Sequence, residues 1–139
     1  ITGVYAVLTE GGGAGGGGSD PVAEEARSLL DGHLVLSPRL ASAGRYPAID
    51  LLESVSRVMD RVVGASQQEA ARRLRRLIAA HRENEDLILM GAYRTGTSPD
   101  TDSFLAHRAQ IEAFLTQAAD ERSPLEATRD RLAKLASPS

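Results

Sequence analysis

Any chemistry in this chain must come from a short set of side chains, and two of them stand out within residues 46–57, YPAIDLLESVSR. Tyr46 sits between Arg45 and Pro47, and a residue that precedes proline is biased towards extended backbone. Held that way, its ring could stack on a flat ligand such as a base. Arg57 is the lone cation of an apolar stretch, and its guanidinium is a planar fork of donors suited to phosphate oxygens. On the residues alone, a core tyrosine and an arginine in a structural salt bridge are the simpler readings. Asp50, Glu53 and Asp60 could include an acid pair, but their spacing fixes no geometry for acid–base work. His33, His81 and His107 are far apart, and none has the His-Glu-x-x-His spacing of a metal site. They read as structural or surface histidines, and no metal site is expected. Residues 11–18, GGGAGGGG, resemble a phosphate loop in composition only. Such a loop needs a following Gly-Lys-Ser/Thr, the lysine for the phosphates and the hydroxyl for magnesium, whereas Ser19 and Asp20 follow here. The run reads as a slack connection. The basic run ARRLRR, residues 71–76, reads as a solvated helix face, with a protein-docking face as the functional alternative.

These residues need a scaffold, and composition bounds it. The chain has 139 residues, enough for one domain or for a fragment in two parts. Hydrophobic residues make up 42% and charged residues 25%, so a sizeable core is available. Aromatics are only 4% and tryptophan is absent, so that core must rest on Leu, Ile, Val and Ala, which suits helices. A net charge of −3 gives no nucleic-acid footprint. With no cysteine there is neither a disulfide framework nor a thiolate metal site. No apolar run reaches membrane-spanning length. The opening ITGVYAVLTE is not a signal peptide, and reads like a strand cut from something longer.

Along the chain, residues 2–9, TGVYAVLT, are short, apolar and rich in β-branched side chains, which predicts a buried strand. Asp20 and Pro21 make a helix start, with Val22, Ala26, Leu29 and Leu30 as its apolar stripe and Gly32 as its stop. HLVLS, residues 33–37, predicts a second buried strand, and residues 38–44 one or two helical turns. AIDLLESVSRVM, residues 48–59, mixes periods and takes no assignment. From Ser66 to about Met90 the pattern is helical, with Ala70, Leu74, Leu77, Ile78, His81 and Ile88 on one side. Glu69 can pair with Arg72 or Arg73 across one turn. Gly91 interrupts this helix, and YRTGTSPD is a loop. Asp100 or Thr101 opens the next helix, with Phe104, Ile111, Leu115 and Ala118 inward. A third helix runs from Ser123 and Pro124 to near Ala136. The fold class is therefore α/β followed by all-α: residues 1–64 with the glycine loop at 11–18, then a small helical bundle over 65–139.

LLDGHLVLSPRLASAGRYPAIDLLESVSRVM, residues 29–59, closely resembles the catalytic ATPases of type III secretion systems, relatives of the flagellar export ATPase and of the rotary ATP synthase β subunit. ITGVYAVLTEG looks like the strand after the Walker B region of that family. AARRLRRLIAAHRENEDLILMGAY, residues 70–93, looks like the start of its C-terminal helical domain. The resemblance runs to about residue 118. It implies the C-terminal part of a RecA-like nucleotide-binding domain followed by a helical bundle. It also implies a homo-hexameric ring with ATP and magnesium between neighbouring subunits, whose hydrolysis releases and unfolds chaperone-bound effectors. Arg57 matches the family's arginine finger, acting in trans on the γ-phosphate held by the adjacent subunit, and Tyr46 matches the tyrosine that stacks on the adenine. Asp50 and Ser56 are expected to be structural. The implied partners are chaperone–effector complexes and the central stalk and stator of the apparatus. The implied location is the cytoplasmic face of that apparatus, peripheral to the inner membrane.

The departures set further expectations. Neither a Walker A motif nor a Walker B aspartate is present, so the chain reads as a C-terminal fragment that is inactive alone and holds no nucleotide tightly. Pro38 stands where relatives usually have arginine, and the glycine run replaces a more polar, acidic loop. The alternatives are the flagellar export branch, and a helical docking module for chaperone–effector complexes.

Overall fold

The computed structural model describes residues 2–7 and 21–137. Its elements run α1 (Pro21–Leu29), β1 (Gly32–Leu36), α2 (Pro38–Ser42), β2 (Ile49–Ser56), α3 (Met59–Val62), α4 (Ala65–Leu89), α5 (Pro99–Leu115) and α6 (Leu125–Leu135). This is the expected order, a small α/β part and then a helical bundle.

The bundle follows from the apolar stripe of α4. Leu74 and Leu77 are buried, and they meet Phe104 and Ile111 of α5. Ile78, Leu105, Phe114, Leu115, Leu132 and Leu135 pack around these four, which brings α6 onto the same core. His81 belongs to the stripe as expected, its ring stacked on Phe104 with centroids 4.1 Å apart. Glu69 pairs with Arg72 at 3.5 Å. Ser98, not Asp100 or Thr101, caps α5: its hydroxyl accepts from the Thr101 amide, and Pro99 occupies the first turn. Thr101 is fully buried behind this cap and donates to the Ala80 carbonyl of α4, while Asn84 donates to its hydroxyl. The loop before α5 is closed by Asp102, which accepts from the Tyr93 hydroxyl and the Gly96 amide.

Four expectations fail. The strand expected at residues 33–37 forms as β1 but is not buried, Leu34 and Leu36 being 72% and 68% exposed. Residues 2–7 form no strand and are exposed, with Val4 at 93% and Tyr5 at 79%; residues 8 and 9 lie outside the described residues. A strand exists only beside a partner, and among the described residues the sole sheet is the pair β1–β2. Ala118 is exposed, because α5 ends at Leu115, three residues before it. Of the α1 stripe, Leu29 and Leu30 are exposed, at 79% and 38%, and Ala26 is half-buried. The glycine loop and the proposed Asp20 cap lie outside the described residues.

The stretch that took no assignment is β2, and its geometry explains the mixed period. It pairs antiparallel with β1 through Val35↔Asp50 and Leu36↔Ile49 at one end and His33↔Val55 and Gly32↔Ser56 at the other. Between His33 and Val35 lies one residue of β1, whereas between Asp50 and Val55 lie four of β2. Residues 51–54 are therefore a bulge carrying three extra residues, which breaks strict alternation. Asp50 shapes it: one carboxylate oxygen accepts from the amides of Leu52 and Glu53, at 3.0 and 3.2 Å. Ser54 donates to the Asp50 carbonyl and accepts from the Val35 amide.

Candidate functional site

Arg57 follows directly on β2, and its backbone extends the ladder, its amide donating to the Asp31 carbonyl at 2.8 Å. Its side chain is exposed. The guanidinium reaches only the carbonyl of Arg27, in the last turn of α1, at 3.3 Å. Among the described residues it forms no ion pair with a carboxylate. A carbonyl at that distance on an exposed surface is a weak tie, so the fork remains available to an outside anion.

Tyr46 sits before β2, its side chain 55% exposed. The Tyr46–Pro47 peptide is cis. Its carbonyl accepts from the Gln117 amide at 2.9 Å, tying this turn to the segment after α5. A cavity of about 210 Å³ opens at this turn, lined by Arg45, Pro47, Phe114, Leu115, Gln117 and Arg131 among others, but not by Tyr46 itself. Arg131 lies over the Phe114 ring, 5.5 Å from its centroid, and Arg45 pairs with Glu112 at 3.7 Å. Pockets for drug-sized ligands hold about 300–1,000 Å³. At about 210 Å³ this one falls below that range. Phe114, Gln117 and Arg131 were not singled out from the sequence. They lie about 70 to 85 residues after Tyr46, and nothing local links them to it.

Arg57 and Tyr46 are not brought together. They flank opposite ends of β2, which at about 3.3 Å per residue separates them by on the order of 20 Å even with the bulge. Asp50 and Glu53 are not a catalytic acid pair either. Asp50 is buried, and both face Arg82 of α4, at 3.4 and 3.6 Å. The arginines of residues 71–76 divide. Arg72 and Arg76 are surface ion-pair partners, while Arg75 turns inward and donates to the carbonyls of Ser54 and Leu52. Among the described residues no three His, Cys, Asp or Glu side chains converge as a metal site requires. No described helix is long and apolar enough to cross a membrane.

Residues 63–134 match the model of the T3SS EscN ATPase C-terminal domain, more than half of the chain. The chain belongs to that family. Residues 1–56 match the nucleotide-binding domain of the ATP synthase alpha/beta family. The type 3 secretion system ATPase of Pseudomonas syringae pv. syringae is 47% identical over 99% of this chain and 30% of its own length. The flagellum-specific ATP synthase of Treponema pallidum is 43% identical over 97% of this chain and 29% of its own. The assembled ATPase EscN of enteropathogenic E. coli, solved with its central stalk EscO, superposes with a TM-score of 0.80 at 38% identity, covering 84% of this chain and 29% of that one. The chain thus spans about 30% of the length of the curated relatives it matches. The family match also runs well past residue 118, where the resemblance was expected to fade. α6 continues the α4–α5 core, so its apolar positions hold the pattern where local motifs thin out.

Proposed function

We propose that this chain is the C-terminal portion of an ATPase that energises type III protein secretion, with a nucleotide-binding part over residues 1–64 and a helical part over residues 65–139. The observation that carries the reading is the state of Arg57. It is an exposed guanidinium at a strand end, held by one weak carbonyl contact and free of any described carboxylate. Such a group suits an arginine finger that acts in trans, offsetting charge on a phosphoryl group held by a neighbouring subunit. The separation of Tyr46 from Arg57 supports this. Two residues at opposite ends of β2 serve two different nucleotides more readily than one, Tyr46 the base at its own subunit's site and Arg57 the γ-phosphate at the next.

The described residues fit parts of ATP. The exposed Tyr46 ring offers a face to the base, and the Arg57 fork matches phosphate oxygens. They offer no acidic cluster for magnesium and no lysine-bearing phosphate loop; the one lysine, Lys134, lies in α6. The test is turnover by the full-length protein. Arg57→Ala should lower kcat by about 10³-fold or more with ring assembly intact. Arg57→Lys should recover little, because an ammonium lacks the planar fork. Turnover within tenfold of the parent would refute the role.

A second reading, docking, is favoured by the far end of α4. Leu87, Leu89 and Met90 are 43%, 78% and 71% exposed there. This apolar tip suits a partner such as a central stalk or a chaperone–effector complex at the cytoplasmic face of the apparatus. A pull-down with a cognate stalk protein or chaperone, lost on Leu89→Asp, would support it.

A further inference from the structure

We propose that Arg75 and Arg82 of α4 are positioning residues for Arg57, acting through the bulge of β2. The proposal rests on the reading of Arg57 given above and names what places it.

The bulge strips residues 51–54 of ladder partners, so its polar groups must be satisfied elsewhere. Arg75 supplies two donors from one guanidinium, Nη1 to the Ser54 carbonyl and Nη2 to the Leu52 carbonyl, each at 3.2 Å. Arg82 holds the other side, facing the Asp50 carboxylate at 3.4 Å and the Glu53 carboxylate at 3.6 Å. The two arginines are seven residues apart, two turns along one face of a single helix. Asp50 and Ser54 beneath them are 9% and 5% exposed, so the joint is packed on that side, while the Glu53 side chain at its edge is 58% exposed.

The consequence reaches Arg57 through register. Beyond the bulge, β2 runs Val55, Ser56, Arg57, in ladder with His33, Gly32 and Asp31. Three extra residues is an odd number. A strand that slipped to absorb them would turn every following side chain to the opposite face. The clamp from α4 therefore decides which way the strand end presents Arg57 and how firmly. Loosening it leaves Arg57 in place chemically but lets its guanidinium wander. A misplacement of about 1 Å in a reacting group can cost 10²-fold in rate.

The experiment compares Arg57→Ala, Arg75→Gln/Arg82→Gln and the triple variant in the full-length protein. The glutamine pair should lower kcat by about 10²-fold while the KM for ATP and ring assembly stay near the parent's. The triple variant should be no slower than Arg57→Ala alone, because a clamp that acts only through Arg57 has nothing left to position. Hydrogen exchange of the 50–57 segment should rise in the glutamine pair. If the pair destabilises the fold, the lysine variants carry the test. Arg82→Lys keeps a cation facing Asp50 and Glu53 and should retain most activity. Arg75→Lys cannot span two carbonyls as a fork does and should lose it. A large loss in Arg57→Ala with an unaltered kcat in the clamp variants overturns the clamp and leaves the finger standing. Clamp losses that multiply with Arg57→Ala also overturn it, since they report a path that bypasses Arg57. Unchanged turnover in Arg57→Ala overturns both.

Discussion

Replacing Gly32 with alanine sets two effects of opposite sign against each other, and the structure decides between them. Gly32 pairs with Ser56 at the strand end that carries Arg57, and it is not among the described glycines with left-handed backbone, which are Gly44, Gly91 and Gly96. Alanine can therefore adopt its conformation, and removing the glycine's freedom in the unfolded chain would stabilise by about 0.4–1 kcal/mol. Against this, a Cβ at position 32 would sit 2.6 Å from the Val55 carbonyl oxygen and 3.2 Å from the Ser56 Cα. Both are backbone atoms that cannot rotate away, so β2 must retreat by roughly half an ångström, and overpacking of this kind costs about 1–3 kcal/mol. The retreat also strains the 2.8 Å bond from the Arg57 amide to the Asp31 carbonyl, and such a bond is worth about 1 kcal/mol. The clash wins, and Gly32→Ala should destabilise by about 1–2 kcal/mol. Equilibrium urea denaturation would read the loss, and amide exchange at Ser56 and Arg57 would place it at the strand end. A variant at least as stable as the parent, with the Arg57 amide equally protected, would refute the close approach of the two strands.

The bundle core offers a second test. Ile111 is 0% exposed, and Ile111→Ala should cost about 3–4 kcal/mol, seen as a lower urea midpoint at unchanged slope; Leu125→Ala, at a side chain 61% exposed, should stay within about 0.5 kcal/mol. The third concerns pH. Burial against Phe104 holds the His81 pKa below 6.5, with Arg108 acting in the same direction and Glu85 and Glu112 opposing. The folded chain thus prefers the neutral ring, so stability is intact above pH 6.5 and falls as the pH drops below it towards the lowered folded value. His81→Gln should flatten that part of the stability–pH curve measured by denaturation.

What the sequence alone determined is what depends on near neighbours. The apolar positions of α4 repeat every three or four residues, so its buried stripe from Ala70 to Ile78 was readable without a fold. Gly91 marked the end of α4, a turn whose conformation is set within a few residues. The DGH, YPAID and SRVM words carried the family, because each is a contiguous run. The tertiary structure alone decided three things. Residues 2–7 have strand composition but no strand beside them, and β-structure is a property of pairs of segments. The bulge at residues 51–54 is closed locally by Asp50 and Ser54, but the Leu52 and Ser54 carbonyls accept from Arg75, more than 20 residues further on. The cavity at the start of β2 exists because the end of α5 and the segment after it return Phe114 and Gln117 to Pro47 and Ile49. Helical periodicity is written in residues a turn apart, whereas strand register and cavities are made by contacts between distant segments, which no local pattern encodes.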